Sequence, residues 1–444
     1  MYLITILISL LLCFFLLYFG EPHFLGAVVF LAYMAGTFSL LVLNRPLITM
    51  LAAVFSMSFT IMLSPEMGFS YRLVFVFIPL WSIYHVLKNL PSYSNSKLFY
   101  LLLLWLASYW LILFLAKPYP LGFIGMLFVH WCLFAWGCTT RWDSRKIVLF
   151  ACIYGSYLIF FGMMEKLLTG VERVGGPTTF ATGYAMLISV LWSIIFVESC
   201  VSRRFHLFVL IFISAFFLFA ILLSGSRMGL IGIGMGFLIG IFSRAWVNTL
   251  NMPLQKKISF LAGSGIIGIA IIFAVWSLIP EELLIMRHFN VLLSGNIDDS
   301  TFGRITAWAA AWDAFSKNIL WGNGPHTFKE IHGAFLRSQP QIPAITHMGY
   351  LPVAHNVILN ILAENGIIAF VNLFVAGIIC VWQCFRFLIE NPENSLSYSL
   401  LAGFTVLFSL EMIDGSPSNG FDPLFYGIMF SLGIRKVEKR VNLK

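Results

Sequence analysis

Four charged or titratable side chains stand out in this sequence because long apolar runs flank or follow them: Arg173, Arg227, Arg304 and His355. A guanidinium presents a planar fork of donors that matches the oxygens of a phosphate. An imidazole titrates near neutral pH, so it can take a proton from a hydroxyl group that acts as a nucleophile. If folding brings the four together, they could hold a substrate that carries phosphate and activate an alcohol that attacks it.

Arg227 lies in a tight turn, Ser224-Gly225-Ser226-Arg227-Met228-Gly229, between two apolar runs. Its guanidinium must therefore sit at or just below a membrane surface, where an uncompensated arginine is costly. The hydroxyls of Ser224 and Ser226 and the amides that open the next helix would add donors for an anion. An arginine that snorkels to a lipid phosphate is the alternative. Simple contact with water or headgroups is the alternative for Arg173 and Arg304.

His355 and Asn356 precede a long apolar run, at the point where a loop returns to the membrane. Asn356 is a favourable N-cap residue, so a helix is predicted to begin there. Glu364 lies about 13 Å further along a helix axis, which is too deep to orient the histidine ring directly, and Asn360 lies closer to that ring. A headgroup-facing or structural histidine is the alternative to a base. The sequence offers no physical reason for Gly366.

No metal site is predicted. The histidines near the end of this loop lack the i, i+4 spacing, with a flanking carboxylate, that zinc-binding helices use. These residues are His326, His332, His347 and His355.

The composition excludes an ordinary soluble protein, because 60% of the 444 residues are hydrophobic, 10% are charged and the mean hydropathy is +0.91. Soluble domains carry about 25% charged residues. Apolar runs of roughly 20 residues recur, and each could cross a bilayer as a helix. We predict an all-α polytopic membrane protein with about 12–14 transmembrane helices. The net charge of +8 is scattered in short clusters, which is typical of topology signals rather than of nucleic-acid binding.

Fourteen spans are predicted from the apolar runs. They lie near residues 2–20, 24–43, 47–64, 73–88, 98–116, 121–139, 147–163, 182–199, 206–224, 228–243, 258–279, 356–383, 397–413 and 423–434.

The distribution of basic residues predicts the orientation of these spans. Lysine and arginine concentrate in alternate connections and in the tail, whereas the short connections on the other side hold only Arg72, Lys117, Lys166, Arg173 and Arg227. By the positive-inside rule, both termini are cytoplasmic. The same orientation places Arg304 and His355 on the outer side with Arg173 and Arg227.

Three regions follow from this topology. Residues 1–279 form an N-terminal set of about 11 membrane helices, and residues 356–444 form the C-terminal membrane helices and a basic cytoplasmic tail. Residues 280–355 form an unusually long outer loop. Within it, Ile305, Trp308, Trp312 and Phe315 repeat at helical spacing. We therefore predict an amphipathic helix over 303–317, lying at the membrane surface or roofing a cavity.

These motifs resemble those of the O-antigen ligase and O-antigen polymerase superfamily. The turn Ser224–Gly229 resembles its (S/T)-x-(S/T)-R-x-x motif, and His355-Asn356 followed by nine residues and Gly366 resembles its H-N-x9-G signature. Gly303-Arg304, Trp308 and the later Gly322-Asn323-Gly324 resemble its G-R-x3-W…G-x-G pattern. The segment from Arg173 to Gly183 is similar to the one that precedes the family's glycine-rich helix. The resemblance covers roughly residues 170–370.

The resemblance implies a GT-C-like glycosyltransferase of the bacterial inner membrane, with its active site facing the periplasm. Its donor would be a glycan on undecaprenyl diphosphate, and it would need neither a metal nor another cofactor. Arg227, Arg304 and Arg173 would bind the diphosphate, supported by Ser226 and Asn356. His355 would be the catalytic base. The predicted fourteen spans exceed the twelve that are usual for the ligases.

Several functions stay open within and beyond this family. A ligase would transfer the finished polysaccharide to lipid A-core, whereas a polymerase would join repeat units on the carrier. We favour the ligase narrowly, and a protein O-oligosaccharyltransferase ranks third. A transporter of lipid-linked oligosaccharides would carry ionisable residues at mid-membrane depth and often internal repeats. Here the charges collect at the outer rim, which favours chemistry at the surface.

Overall fold

The computed structural model describes residues 132–138, 142–175, 181–202, 207–250, 252–277, 299–324, 327–339, 351, 353–414 and 425–432. The spans predicted before residue 121 lie outside the described residues, as do the first part of the long loop and the basic tail. Those predictions, and the predicted division of the chain into three regions, stay predictions.

The described residues form α-helices joined by turns, and no strand occurs among them. Two short helical stretches cover residues 132–138 and 425–432. The longer helices are α1 (Ser144–Thr169), α2 (Ala181–Ser202), α3 (Leu207–Ser224), α4 (Arg227–Asn248), α5 (Leu254–Ser277), α6 (Asp299–Lys317), α7 (Phe328–Ser338), α8 (Val357–Glu390) and α9 (Ser395–Asp414).

Five of the described helices are long and apolar enough to cross a membrane: α1, α2, α4, α8 and the Ser395–Ile413 part of α9. Helix α3 contains a shorter apolar helix, Phe208–Ser224. A helix satisfies its backbone hydrogen bonds internally, which is why apolar runs cross bilayers in this form. The chain is an all-α polytopic membrane protein, and the fold class predicted from composition is confirmed.

Helix α2 lies at the centre of the described bundle and packs against α1, α3, α4 and α9. Helix α4 approaches it closely because glycines face the contact. A Cβ added to Gly232 would lie 2.6 Å from the Cβ of Ser189, and one added to Gly236 would lie 2.7 Å from the Cβ of Ser193. Small residues at such contacts let two membrane helices pack backbone to backbone. This packing fixes the end of α4 where Arg227 lies.

The helix predicted over 303–317 lies within α6, which begins earlier, at Asp299, and ends at Lys317. Its buried face consists of small residues, including Ala307, Ala311 and Ala314, and packs against α7 and α8. The apolar stripe that the sequence singled out lies on the other side, where Trp312 is 59% exposed. Alanines allow the close helix packing, and this leaves the larger side chains outside.

Helix α8 is two helices rather than the one span predicted over 356–383. Gly366 has φ 75° and ψ −178°, which are not helical values, so the helix breaks there. The first part, 357–365, is too short to cross a bilayer. The second part, 367–390, is long enough.

Candidate active site

Ser224 holds the turn between α3 and α4. Its Oγ donates to the carbonyl of Ile221 (2.6 Å) and accepts from the amide of Ser226 (3.1 Å). Gly225 has φ 60°, a value that glycine adopts without steric cost, and this lets the chain reverse. Helix α4 then begins at Arg227. The first amides of a helix have no partner within it and favour negative charge, so the turn presents donors for an anion.

Ser226 occupies the N-cap position of α4, but its side chain makes no capping hydrogen bond. The residue is 1% exposed, and its Oγ has no hydrogen-bond partner among the described residues. Buried hydroxyl groups are nearly always hydrogen-bonded, so this one calls for an explanation. A hydroxyl beside Arg227 at a helix N-terminus is suited to donate to a ligand oxygen.

Arg173 docks onto the same turn. Its Nε donates to the carbonyl of Ser224 (3.3 Å), and the amide of Val174 donates to the carbonyl of Leu223 (3.3 Å). The amide of Gly175 in turn donates to a carboxylate oxygen of Glu165, on α1, at 3.0 Å. The structure therefore brings Arg173 to the turn that carries Arg227, although the two are distant in sequence.

Helix α6 contacts the backbone of His355 through the side chain of Trp308. The indole Nε1 of Trp308 donates to the carbonyl of His355 at 3.4 Å. Arg304 lies four residues before Trp308, so both lie on one side of α6. Arg304 is half-buried. The G-R-x3-W pattern thus places an arginine on the helix face that contacts the histidine's backbone.

His355 has an unusual backbone conformation, with φ 52°. Among the described residues it is the one non-glycine residue with positive φ. This left-handed region costs a residue with a side chain about 1–2 kcal/mol, and such strain is often found at functional sites. Flanking hydrogen bonds hold the conformation, since the amide of Ala354 donates to Oδ1 of Asn360 (2.9 Å). The side chain of His355 is half-buried.

Asn356 caps α8, and this prediction is confirmed. Its Oδ1 accepts from the amide of Leu359 (3.0 Å), while its Nδ2 donates to the carbonyl of Met412, at the end of α9 (2.8 Å). The same end of α9 contacts α4, because a Cβ added to Gly232 would lie 3.0 Å from Leu410 Cδ1. Helix α9 therefore connects the helix that begins at Arg227 with the segment that carries His355.

His332, on α7, is a part of the site that the sequence analysis considered only as a metal ligand. Its ring is buried, its Nδ1 accepts from the amide of Leu351 (3.0 Å), and its Nε2 lies 3.4 Å from the hydroxyl of Thr306. Burial and the neighbouring His355 lower the pKa of His332 below its ordinary value. The four-residue spacing between Phe328 and His332, which stack, could have indicated a buried face.

Gly322 and Gly366 are also explained only by the structure. The turn after α6 lies against the break in α8, with hydrogen bonds from Ile367 N to Ile319 O (2.8 Å) and from Gly324 N to the carbonyl of Glu364 (2.7 Å). Both glycines have positive φ, and a Cβ on either would collide with the backbone of the other segment. These glycines thus allow the long loop to dock backbone to backbone on α8.

Within the described part of the chain, no group of three or more histidine, cysteine, aspartate or glutamate side chains is arranged to hold a metal ion. The candidate site consists instead of donors for an anion at the Ser224–Arg227 turn and a histidine held in a fixed backbone conformation.

The part of the chain that carries these residues is similar to a known family. Residues 209–374 match the family model described as O-antigen ligase. The matched region begins in α3, contains the Arg227 turn, α6, α7 and His355, and ends in α8 beyond Gly366; Arg173 lies before it. No curated protein matches the chain. Residues 209–374 thus include both halves of the candidate site, and the match over this region supports the O-antigen ligase and O-antigen polymerase superfamily.

Proposed function

We propose that this glycosyltransferase-family protein is an O-antigen ligase, acting at the periplasmic face of the bacterial inner membrane. It would move a glycan from undecaprenyl diphosphate to a hydroxyl of lipid A-core. The observation that carries the proposal is the anion cradle at the start of α4. There the buried hydroxyl of Ser226 and the first amides of α4 lie together, directly before and at Arg227, and Arg173 docks on the same turn.

The cradle suits a diphosphate because guanidinium groups, hydroxyls and helix N-termini all donate to phosphate oxygens. Arg304, on α6, would add a third guanidinium from the loop. In the donor the diphosphate is esterified to the sugar, and it gains negative charge as it leaves. Fixed positive groups that bind this charge more strongly in the transition state than in the substrate accelerate the reaction.

His355 would act as the general base. Its neutral ring would take the proton from the acceptor hydroxyl as that oxygen forms a bond to the anomeric carbon of the donor sugar. The bond between this carbon and the diphosphate oxygen would break at the same time, and its electron pair would leave on undecaprenyl diphosphate. The proton on His355 would then pass to water or to the departing diphosphate, which restores the base.

An apolar groove along α8 supports a donor with a lipid tail. It has a volume of about 400 Å³, begins at Val357 directly after His355 and Asn356, and continues along α8 to Phe385. Apolar side chains of α8 and α9 form most of its wall, together with Glu411. A polyprenyl chain in this groove would carry its diphosphate at the end of α8 where His355 lies.

Reconstitution of the purified protein in detergent with a lipid-linked glycan and lipid A-core tests the proposal. We expect the glycan to be transferred to the core, which a transporter would not do because it forms no glycosidic bond. Arg227→Ala and His355→Ala should each abolish the product. Arg337→Ala, which removes an exposed arginine of α7, should retain it. Full transfer by the first two variants would show that the assigned site is wrong.

The two family functions separate in a deletion strain. Loss of a ligase leaves full-length polymer on the carrier and a core without polymer. Loss of a polymerase leaves a core that bears one repeat unit. A lipopolysaccharide gel distinguishes the two outcomes, and the second would replace the ligase with the polymerase.

A further inference from the structure

Glu364 is a buried acid that the proposed reaction does not use. It lies in the first part of α8 and is 7% exposed. One carboxylate oxygen, Oε1, accepts from the amide of Phe328, the first residue of α7 (3.1 Å). The other, Oε2, accepts from the side-chain amide of Asn360, one helical turn earlier (3.2 Å). Among its described contacts, Glu364 thus joins α7 to the beginning of α8.

Asn360 passes this connection on to the segment that holds His355. Its Oδ1 accepts from the amide of Ala354 at 2.9 Å, and its own backbone amide donates to the carbonyl of Asn356 at 2.9 Å. The residue between these two contacts is His355, whose φ is 52°. Such a conformation persists only where the surrounding structure determines it. Asn360 makes one bond on each side of His355.

We propose that Asn360 and Glu364 are a positioning pair that fixes the backbone of His355, and through it the direction of the catalytic ring. The proposal rests on the proposed role of His355 as the base. Glu364 anchors the pair to α7, which also carries His332 against Thr306 and the amide of Leu351. The pair therefore sets His355 relative to the loop helices as well as to α8.

The direction of each hydrogen bond makes the pair testable. Backbone amides donate at both ends, from Ala354 to Asn360 and from Phe328 to Glu364. Each side chain of the pair must therefore accept a hydrogen bond from a backbone amide, and one of the two must also donate to the other. An amide side chain at one position and a carboxylate at the other meet this requirement, whichever position carries the amide. The exchange Asn360→Asp with Glu364→Gln preserves each of the three described hydrogen bonds and the net charge.

Each single substitution breaks the pattern. With Glu364→Gln, the carbonyl oxygen of each amide side chain must accept from its backbone amide, so the two NH₂ groups face each other and no acceptor lies between them. With Asn360→Asp, two carboxylates face each other, and they repel each other at any pH at which neither is protonated, so this variant is assayed at alkaline pH. We expect each single variant to lower kcat on the order of 100-fold, the cost of a displaced catalytic group. KM for the lipid-linked donor should change little, because the diphosphate is bound at the α4 turn.

The exchanged pair is the decisive variant. In the reconstituted transfer assay, N360D/E364Q should recover to within about threefold of wild-type kcat, since coupled residues give strongly non-additive effects. Glu330→Gln, an exposed site on α7, is the matched control for losing a carboxylate and should behave as wild type. Thermal melting of all variants shows whether a loss of kcat is a loss of folded protein.

Two results would overturn the proposal. One is an exchanged variant that is no more active than the poorer single variant, although it melts like wild type. The other is full activity in both single variants. His355→Ala in the same assay separates this failure from failure of the proposed function. If His355→Ala is active, the proposed role of His355 as the base is wrong. If His355→Ala is inactive and both single variants are fully active, only the proposed positioning pair is wrong.

Discussion

The indole nitrogen of Trp308 donates a hydrogen bond to the backbone carbonyl of His355, and this bond connects the loop helix α6 to the proposed base. Trp308 also lies one turn after Arg304 on the same side of α6. The contact therefore relates a proposed diphosphate ligand to the base through a single side chain. It is also the simplest contact in the site to remove.

Trp308→Phe should lower transfer without unfolding the protein. Phenylalanine keeps an aromatic ring but lacks the donor, and a hydrogen bond worth about 1 kcal/mol corresponds to about fivefold in rate. The kcat of the reconstituted protein is the measurement. Trp312→Phe, one turn further along α6 and 59% exposed, is the control and should be neutral. Equal loss in both variants would mean that the aromatic face, and not the bond to His355, matters.

Ser226→Ala should weaken donor binding while the fold stays intact. Because Ser226 Oγ has no partner among the described residues, its removal breaks no described bond. If that hydroxyl donates to the diphosphate, KM for the donor should rise roughly tenfold, as for a hydrogen bond to a charged group. Ser224→Ala should instead lower the melting temperature, because Ser224 holds the turn. An unchanged KM in Ser226→Ala would exclude this hydroxyl from the cradle.

Gly366→Ala should lower the melting temperature more than Gly170→Ala or Gly263→Ala. Comparing these three glycines separates the cost of a positive φ from the cost of a backbone collision. Gly366 combines positive φ with a backbone collision, Gly170 has positive φ with open space around it, and Gly263 has neither. The left-handed conformation alone costs an alanine about 1–2 kcal/mol. Melting temperatures should fall in the order Gly263→Ala, Gly170→Ala, Gly366→Ala. A Gly366→Ala protein as stable as Gly170→Ala would contradict the close docking at the α8 break.

Low pH should destabilise the folded protein because His332 becomes protonated. Burial and His355 lower its pKa below 6.5, so the folded protein binds this proton less readily than the unfolded chain does. The contribution of neutral His332 to the free energy of unfolding is therefore complete above the pKa that this residue has in the unfolded chain. It declines as the pH falls below that value, and it stops declining below the lower pKa of the folded protein. A protonated ring also cannot accept from the amide of Leu351.

His332→Asn tests this dependence, because asparagine offers an acceptor near the position of Nδ1 but does not titrate. Melting temperatures between roughly pH 5 and pH 8 should fall with acid more steeply in the wild type than in the variant. Parallel curves would show that other groups cause the acid sensitivity.

The sequence alone determined what depends on local pattern. Apolar runs of membrane length determine the helices, because such runs cannot satisfy their backbone in lipid in another way. The cap at Asn356 and the α6 helix follow from side chains a few residues apart. The motifs around Arg227, Arg304 and His355 likewise indicated the superfamily that the match over residues 209–374 supports.

Features that depend on residues far apart in the chain follow from the packing of the helices and the loop. Nothing near Gly366 in sequence indicates that the turn at Gly322 docks on it and breaks α8. Glu364 is too far along α8 to orient the His355 ring directly, and its link through Asn360 emerged only from the packed structure. The left-handed φ of His355 has the same origin, since contacts with α6 and α8 hold a conformation that local preference disfavours.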